Sequence, residues 1–252
     1  MNNLLLKSVI LTFSILLIIT VLLCASLYLF WRCFFFFRNP PRRIPYDPKF
    51  ILAPADGFVI YSKRVYPGED IFSIKNNKHI KLDDLMFIED DNLKNQPGWI
   101  IGIFMTFLDV HYNRAPIEGY IKEIKHDFLL NGFKKNKMLF KIYVNLFLFK
   151  KNLWENCEHI ILNERASFVI KNKDISVYVT QIADGWIKKI ITFKNNEEIK
   201  QGEVFGLIRM GSQVDIFVPD KDGSLEVLVK DRQKVKAGLT KLIRINNENK
   251  LV

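Results

Sequence analysis

From Ser8 to Trp31 the chain runs for 24 residues without a charged side chain, and no other feature restricts its fold as severely. At 1.5 Å rise per residue, a helix of this length crosses a hydrocarbon core about 30 Å thick. A signal peptide would have a shorter apolar core, followed by small residues at a cleavage site. Here Trp31-Arg32-Cys33 and four phenylalanines, Phe34 to Phe37, follow instead, so a retained anchor is expected. Arg32, Arg38, Arg42 and Arg43 lie just after the run, against Lys7 alone before it. The positive-inside bias therefore predicts a cytoplasmic domain on a cell (inner) membrane, with residues 1–37 as anchor and flanks and 38–252 as the domain.

The 252 residues carry a formal charge of +10, which suits an anionic membrane surface. Aromatic and basic residues do not alternate as on a nucleic-acid platform, so no nucleic-acid partner is expected. Cys24, Cys33 and Cys157 have no ligand-like spacing, and His79, His126 and His159 sit in polar or lysine-rich surroundings. Neither a disulfide scaffold nor a metal site is expected, and those three histidines read as surface residues.

Beyond the anchor, Arg38 to Pro45 contains three prolines and reads as a rigid connector, because proline lacks the helix-forming amide. Short β-like runs follow at Gly57–Tyr61, Ser167–Ile170 and Ile175–Thr180, separated by glycine, asparagine and lysine clusters. A weak internal repeat pairs Asp-Gly with Lys-x-Gly or similar turns: Asp184-Gly185 with Gln201-Gly202, Asp222-Gly223 with Lys236-Ala237-Gly238, and, shortened, Asp56-Gly57 with Pro67-Gly68. Such turns call for positive-φ glycines and compact hairpins. The fold expected is mainly β, barrel-sandwich-like with elements related to lipoyl domains, plus an N-terminal transmembrane helix. No lysine attachment turn of the lipoyl kind is present.

The segment Ile208-Arg209-Met210-Gly211-Ser212-Gln213-Val214-Asp215, with Gly206 upstream, resembles the self-cleavage site of the phosphatidylserine decarboxylase proenzymes. Further resemblance lies at Pro40–Pro45, Ala53–Gly57, Phe107–Pro116 and Gln181–Ile190, in the family's order and across nearly the whole chain. The resemblance implies that Ser212 attacks the Gly211 carbonyl, an ester replaces the peptide bond, and elimination leaves Ser212 as an amino-terminal pyruvoyl group. Glycine before the nucleophile leaves the attack unobstructed. The pyruvoyl carbonyl would then form a Schiff base with the headgroup amine of phosphatidylserine and act as electron sink while carbon dioxide leaves. The product would be phosphatidylethanolamine, and the enzyme a heterodimer of residues 1–211 and 212–252.

Three further residues are implied. His111 matches the family's active-site histidine, and its ordinary pKa near 6.5 suits a proton carrier. Asp56, in Ala55-Asp56-Gly57, would orient His111 and complete a group with Ser212. Arg114 stands where long-form members carry a second histidine; the sequence His111-Tyr112-Asn113-Arg114 resembles the short form, and the guanidinium could bind a substrate carboxylate or phosphate. Asp109 reads as a turn-pairing residue, Asn163-Glu164-Arg165 as a buried charge network and Gln181-Ile182-Ala183 as pocket wall. Two alternatives remain open: a noncatalytic membrane-tethered β adaptor, in which Gly211-Ser212 is a turn, and a decarboxylase of another phosphoserine-headgroup lipid.

Overall fold

A computed structural model describes residues 2–74, 78–87, 96–127, 163–183, 190–209 and 212–246. The chain forms two compact units, Met1–Arg38 and Asn39–Val252. In the first, helix α1 (Asn2–Phe30) leads into a π-helical turn, Trp31–Phe36. The apolar stretch Leu5–Phe36 is long and apolar enough to cross a membrane, and its side chains along α1 are exposed throughout. A helix apolar on every face has no aqueous solution in which it is comfortable, which supports membrane association. After it, Arg32 lies over the Phe36 and Phe37 rings at 5.1 and 4.6 Å, and Arg38 over Phe35 at 3.9 Å. These cation–π contacts let the arginine stems run along apolar surface.

The second unit is mainly β, as expected. Its strands are β1 (Phe50–Leu52), β2 (Gly57–Val65), β3 (Phe72–Ile74), β4 (Lys78–Ile80), β5 (Gly98–Met105), β6 (Tyr112–Arg114), β7 (Gly119–Asp127) and β8 (Arg165–Lys171). They continue with β9 (Ser176–Ala183), β10 (Ile190–Thr192), β11 (Glu197–Ile199), β12 (Val204–Ile208), β13 (Ser212–Pro219), β14 (Leu225–Val227), β15 (Lys234–Val235) and β16 (Lys241–Ile245). A short helix, α2 (Leu82–Met86), precedes β5.

Eight strands form one antiparallel sheet in the order β11-β7-β8-β9-β13-β5-β2-β15. Three-stranded sheets β1-β16-β14 and β10-β12-β6, and the hairpin β3-β4, complete the unit. Among the described strands the large sheet runs from β11 to β15, and their order shows no closed barrel or lipoyl-like topology of the kind expected from the short repeat. The repeat reports local turns: Gly57, Gly68, Gly202, Gly223 and Gly238 all have positive φ. The sheet order depends instead on pairings between distant segments, which no local repeat encodes. Asp184 and Gly185 lie outside the described residues.

Strand alternation divides the core. On β13, Val214, Ile216 and Val218 join Val59, Ile101, Ile103 and Val179 in one buried cluster. The opposite face buries Phe217 with Tyr61, Phe104, Tyr178 and Ile182, closed over by Leu85 and Met86 of α2. Successive strand side chains point to opposite faces, so a sheet buried on both sides reads as nearly unbroken hydrophobic sequence.

Gly57 fixes where β2 begins. Its φ is +151°, and an added Cβ would lie 2.1 Å from the Phe104 carbonyl oxygen, a backbone atom that cannot step aside without opening the β2–β5 pairing. Gly57→Ala is therefore expected to destabilise the domain by about 2 kcal/mol or more, combining backbone strain with a displaced strand. Thermal unfolding of the detergent-purified protein, followed by circular dichroism, would show this as a fall of several degrees, about 2–4 °C per kcal/mol at this size.

Candidate active site

Ser212 opens β13, a strand paired on both flanks inside the large sheet. It pairs with Met105, the last residue of β5, on one side and with Ala183, the last residue of β9, on the other. Gly211 lies outside the described residues, as does Met210. The bond expected to break thus adjoins the point where β13 enters the sheet between two strand ends.

The other expected residues come to this same end of the sheet. After Met105 the chain makes a tight turn and returns as β6. Asp109 closes that turn: its Oδ2 accepts hydrogen bonds from the Thr106 amide at 2.9 Å and the Thr106 hydroxyl at 2.7 Å, which is the turn-pairing role read for it. His111 follows, fully buried, and its carbonyl accepts the Ile208 amide at 3.2 Å, tying it to the strand that leads to Gly211. The His111 Nδ1 lies 2.9 Å from the Asp109 carbonyl oxygen. A carbonyl only accepts, so Nδ1 carries the proton, and in the neutral ring the buried Nε2 holds the lone pair. That is the tautomer a general base requires.

Asp56 stands two residues before Phe58, which pairs with Phe104 on β5, so its loop also reaches this end. The loop touches β6 directly, the Pro54 carbonyl accepting the Arg114 amide at 2.9 Å. The carboxylate, however, is held elsewhere than expected. Arg42 grips it with two bonds, 2.6 and 2.8 Å, and the Ala237 amide donates to Oδ1 at 2.7 Å. The Asp109 carbonyl, and not Asp56, orients the His111 ring. Both partners of the Arg42–Asp56 pair are nearly buried, 7 and 10% exposed, which makes it a structural clamp between the connector and the β15–β16 segment.

Arg114 is also buried. Its Nη1 donates to the Gly202 carbonyl at 2.9 Å and its Nη2 to Asn39 Oδ1 at 2.8 Å. Burial, and then the nearby Arg42 charge, push its guanidinium below the ordinary arginine value, while Asp56 opposes them. Both terminal nitrogens therefore serve the scaffold.

Several residues near the site had given weaker signals in the sequence. Gln181 and Asn113 meet at 2.5 Å on the interior face, beside Met105. Gly206 has no side chain to displace this pair; a Cβ there would come 2.8 Å from Gln181 Nε2. Glu164 accepts from the Ile190 amide and bonds His126 at 2.9 Å, so His126 belongs to a half-buried network and not to the open surface. Arg165 donates to the Asp84 carbonyl at 2.7 Å. Asn163 is buried, with neither carboxamide atom paired among the described residues. His159 and the side chain of His79 lie outside them.

A family profile described as phosphatidylserine decarboxylase matches residues 29–242. The chain belongs to this family. It is 32% identical over 218 residues to a phosphatidylserine decarboxylase proenzyme of Carboxydothermus hydrogenoformans, covering 86% of this chain and 81% of that one. It is 32% identical over 219 residues to the proenzyme of Wolbachia pipientis wMel, covering 86 and 77%. A Methanosarcina acetivorans relative, provisionally named an archaetidylserine decarboxylase proenzyme, is 31% identical over 214 residues, covering 84 and 75%. No solved structure matches. Family membership supports a decarboxylase acting on a lipid with a phosphoserine headgroup.

One buried acid, the last residue of the Ser212 motif, has no role assigned from the sequence. Asp215, fully buried on the Phe217 face of β13, accepts a 2.5 Å hydrogen bond from Tyr61 and bonds of 2.9 and 3.1 Å from Gln213 Nε2. Burial raises its pKa from 3.8 to about 7, against the lowering effect of Tyr61 and Gln213. The folded state thus holds a proton that the unfolded chain releases near pH 3.8, so stability falls as pH rises from there to about 7 and is level above it. Asp215→Asn should flatten this decline, a difference that chemical denaturation at pH values spanning the window would reveal.

Proposed function

We propose that the protein is a self-processing, pyruvoyl-dependent phosphatidylserine decarboxylase anchored in the inner membrane with its domain in the cytoplasm. The observation that carries this reading is the convergence of Ser212, His111 and the Asp56 loop on one end of the large sheet, within a chain of this family. Ser212 attacks the preceding Gly211 carbonyl, and His111, its Nδ1 proton committed to Asp109, has Nε2 available in charge state to take the hydroxyl proton. Asp56 supports this step by locking its loop through Arg42 and Ala237. Arg114 contributes through charge and through its hold on Gly202 and Asn39.

The chain's own residues fit the group that processing would create. Ser212 sits where β13 is held from both sides, so a new terminus there remains positioned after the cut. The pyruvoyl group supplies a carbonyl for the headgroup amine and an acceptor for the electron pair released with carbon dioxide. Residues 212–252 stay bound as a heterodimer with residues 1–211, because β13 lies between β9 and β5, β15 pairs with β2, and β16 with β1. Phosphatidylethanolamine is the product expected from phosphatidylserine. The Methanosarcina relative favours a second reading, a phosphoserine lipid with different tails.

Denaturing intact-mass analysis tests processing. The wild-type protein should give residues 1–211 and a pyruvoyl-started 212–252 fragment, whereas Ser212→Ala should give one 252-residue chain. His111→Gln should slow fragment formation about a hundredfold or more, as loss of a general base does. An uncut wild-type chain, folded and given time to mature, would overturn the reading in favour of an adaptor. Mass analysis of lipid products then separates the two substrate readings.

A further inference from the structure

The turn joining β5 to β6 presents two adjacent apolar side chains to solvent: Phe107 is 41% and Leu108 52% exposed. Surface turns are normally polar, and this one is held rigid by the Thr106–Asp109 bonds, so its apex cannot fold its apolar residues inward. Positive charge flanks it. Lys234, with 59% of its side chain exposed, approaches Asp109 Oδ1 at 3.8 Å and lies 5.3 Å from the Phe58 ring centre. Arg209 is exposed beside Ile208, whose amide bonds the His111 carbonyl, and Lys236 is exposed just past Lys234. Apolar side chains at an apex with an exposed lysine at its base match the layering of a bilayer with anionic headgroups.

The position of the turn matters as much as its composition. It begins one residue after Met105, the partner of Ser212, so the apex is within about 7–10 Å of chain from the strand end that flanks the site. We infer that Phe107 and Leu108 enter the interfacial region of an anionic bilayer, with Lys234 and Lys236 on the headgroups, and thereby seat the site end of the sheet at headgroup level. An apolar helix such as α1 retains a chain at a membrane but does not by itself present one end of a sheet to a lipid. The inference rests on the proposed lipid substrate for its purpose, though not for the first arm of its test.

The test uses the full chain with Cys24, Cys33 and Cys157 replaced by serine. Leu108→Cys carries an environment-sensitive fluorophore, and Asp222→Cys, in the exposed turn beyond the far end of β13, is the control. Both are reconstituted in vesicles of phosphatidylserine and phosphatidylcholine with nitroxides on the acyl chains. The Leu108 label should be quenched and blue-shifted while the Asp222 label is not, and Ser212→Ala should leave this difference intact. Equal solvent exposure of the two labels, or shielding of the Leu108 label that persists in detergent without lipid, would overturn the inference. In the second arm, Phe107→Ser with Leu108→Ser should lower turnover of bilayer phosphatidylserine about tenfold or more while turnover of a monomeric short-chain analogue stays within about twofold. Equal loss on both substrates would overturn it. Quenching in a protein with no decarboxylase activity would refute the proposed function and uphold the docking surface.

Discussion

Everything in the domain depends on β13 being hydrogen-bonded on both flanks. Its ladder with β5 runs from Ser212↔Met105 to Pro219↔Gly98, and its ladder with β9 from Ser212↔Ala183 to Phe217↔Tyr178. Because side chains alternate, this one strand also joins the two cores: Val214, Ile216 and Val218 on one face, Phe217 with the Asp215 network on the other. A backbone paired on both sides has few ways to shift, so residues at its start inherit a fixed position. The site borrows its rigidity from the sheet instead of building it from side chains alone.

Around that strand end, polar groups are disposed in two kinds of role. His111 is oriented by a backbone carbonyl, which fixes a tautomer without adding a charge. Asp56 and Arg42 neutralise each other in a nearly dry setting, where an unpaired charge would cost several kcal/mol. The consequence is that a carboxylate expected to act on the histidine acts on the connector and the C-terminal strands. Charge at the Arg42–Asp56 contact is thus managed by pairing, while His111 is held by a neutral backbone group.

Much of this could be read from the sequence where the signal is local. The strands at Gly57, Ser167 and Ser176 show β-rich runs between turn residues, and the glycine turns take the positive φ that their pairing with aspartate or lysine suggested. The motif around Ser212 carries the family resemblance within a few consecutive residues. What stayed hidden was long-range. Arg42 looked like one more basic residue after the anchor, until folding set it against Asp56 and the Ala237 carbonyl. Asp215 stood out only as an acid inside Val-Asp-Ile-Phe-Val; its partner Tyr61 is 154 residues away. The strand order could not be deduced from hairpin-like repeats, because β9, β13, β5 and β2 become neighbours only in the folded sheet.

The central place of β13 also sets an order of events during synthesis. A nascent chain that has emerged only through β12 contains β5 and β9 but nothing to lie between them, and the large sheet is then two separate pieces. The segment that carries Ser212 is the same segment that joins those pieces. Assembly of the sheet and presentation of the serine are therefore a single event, and the fold acts as its own checkpoint: a chain that stalls or misassembles before that step does not hold the serine in the geometry on which its chemistry would depend.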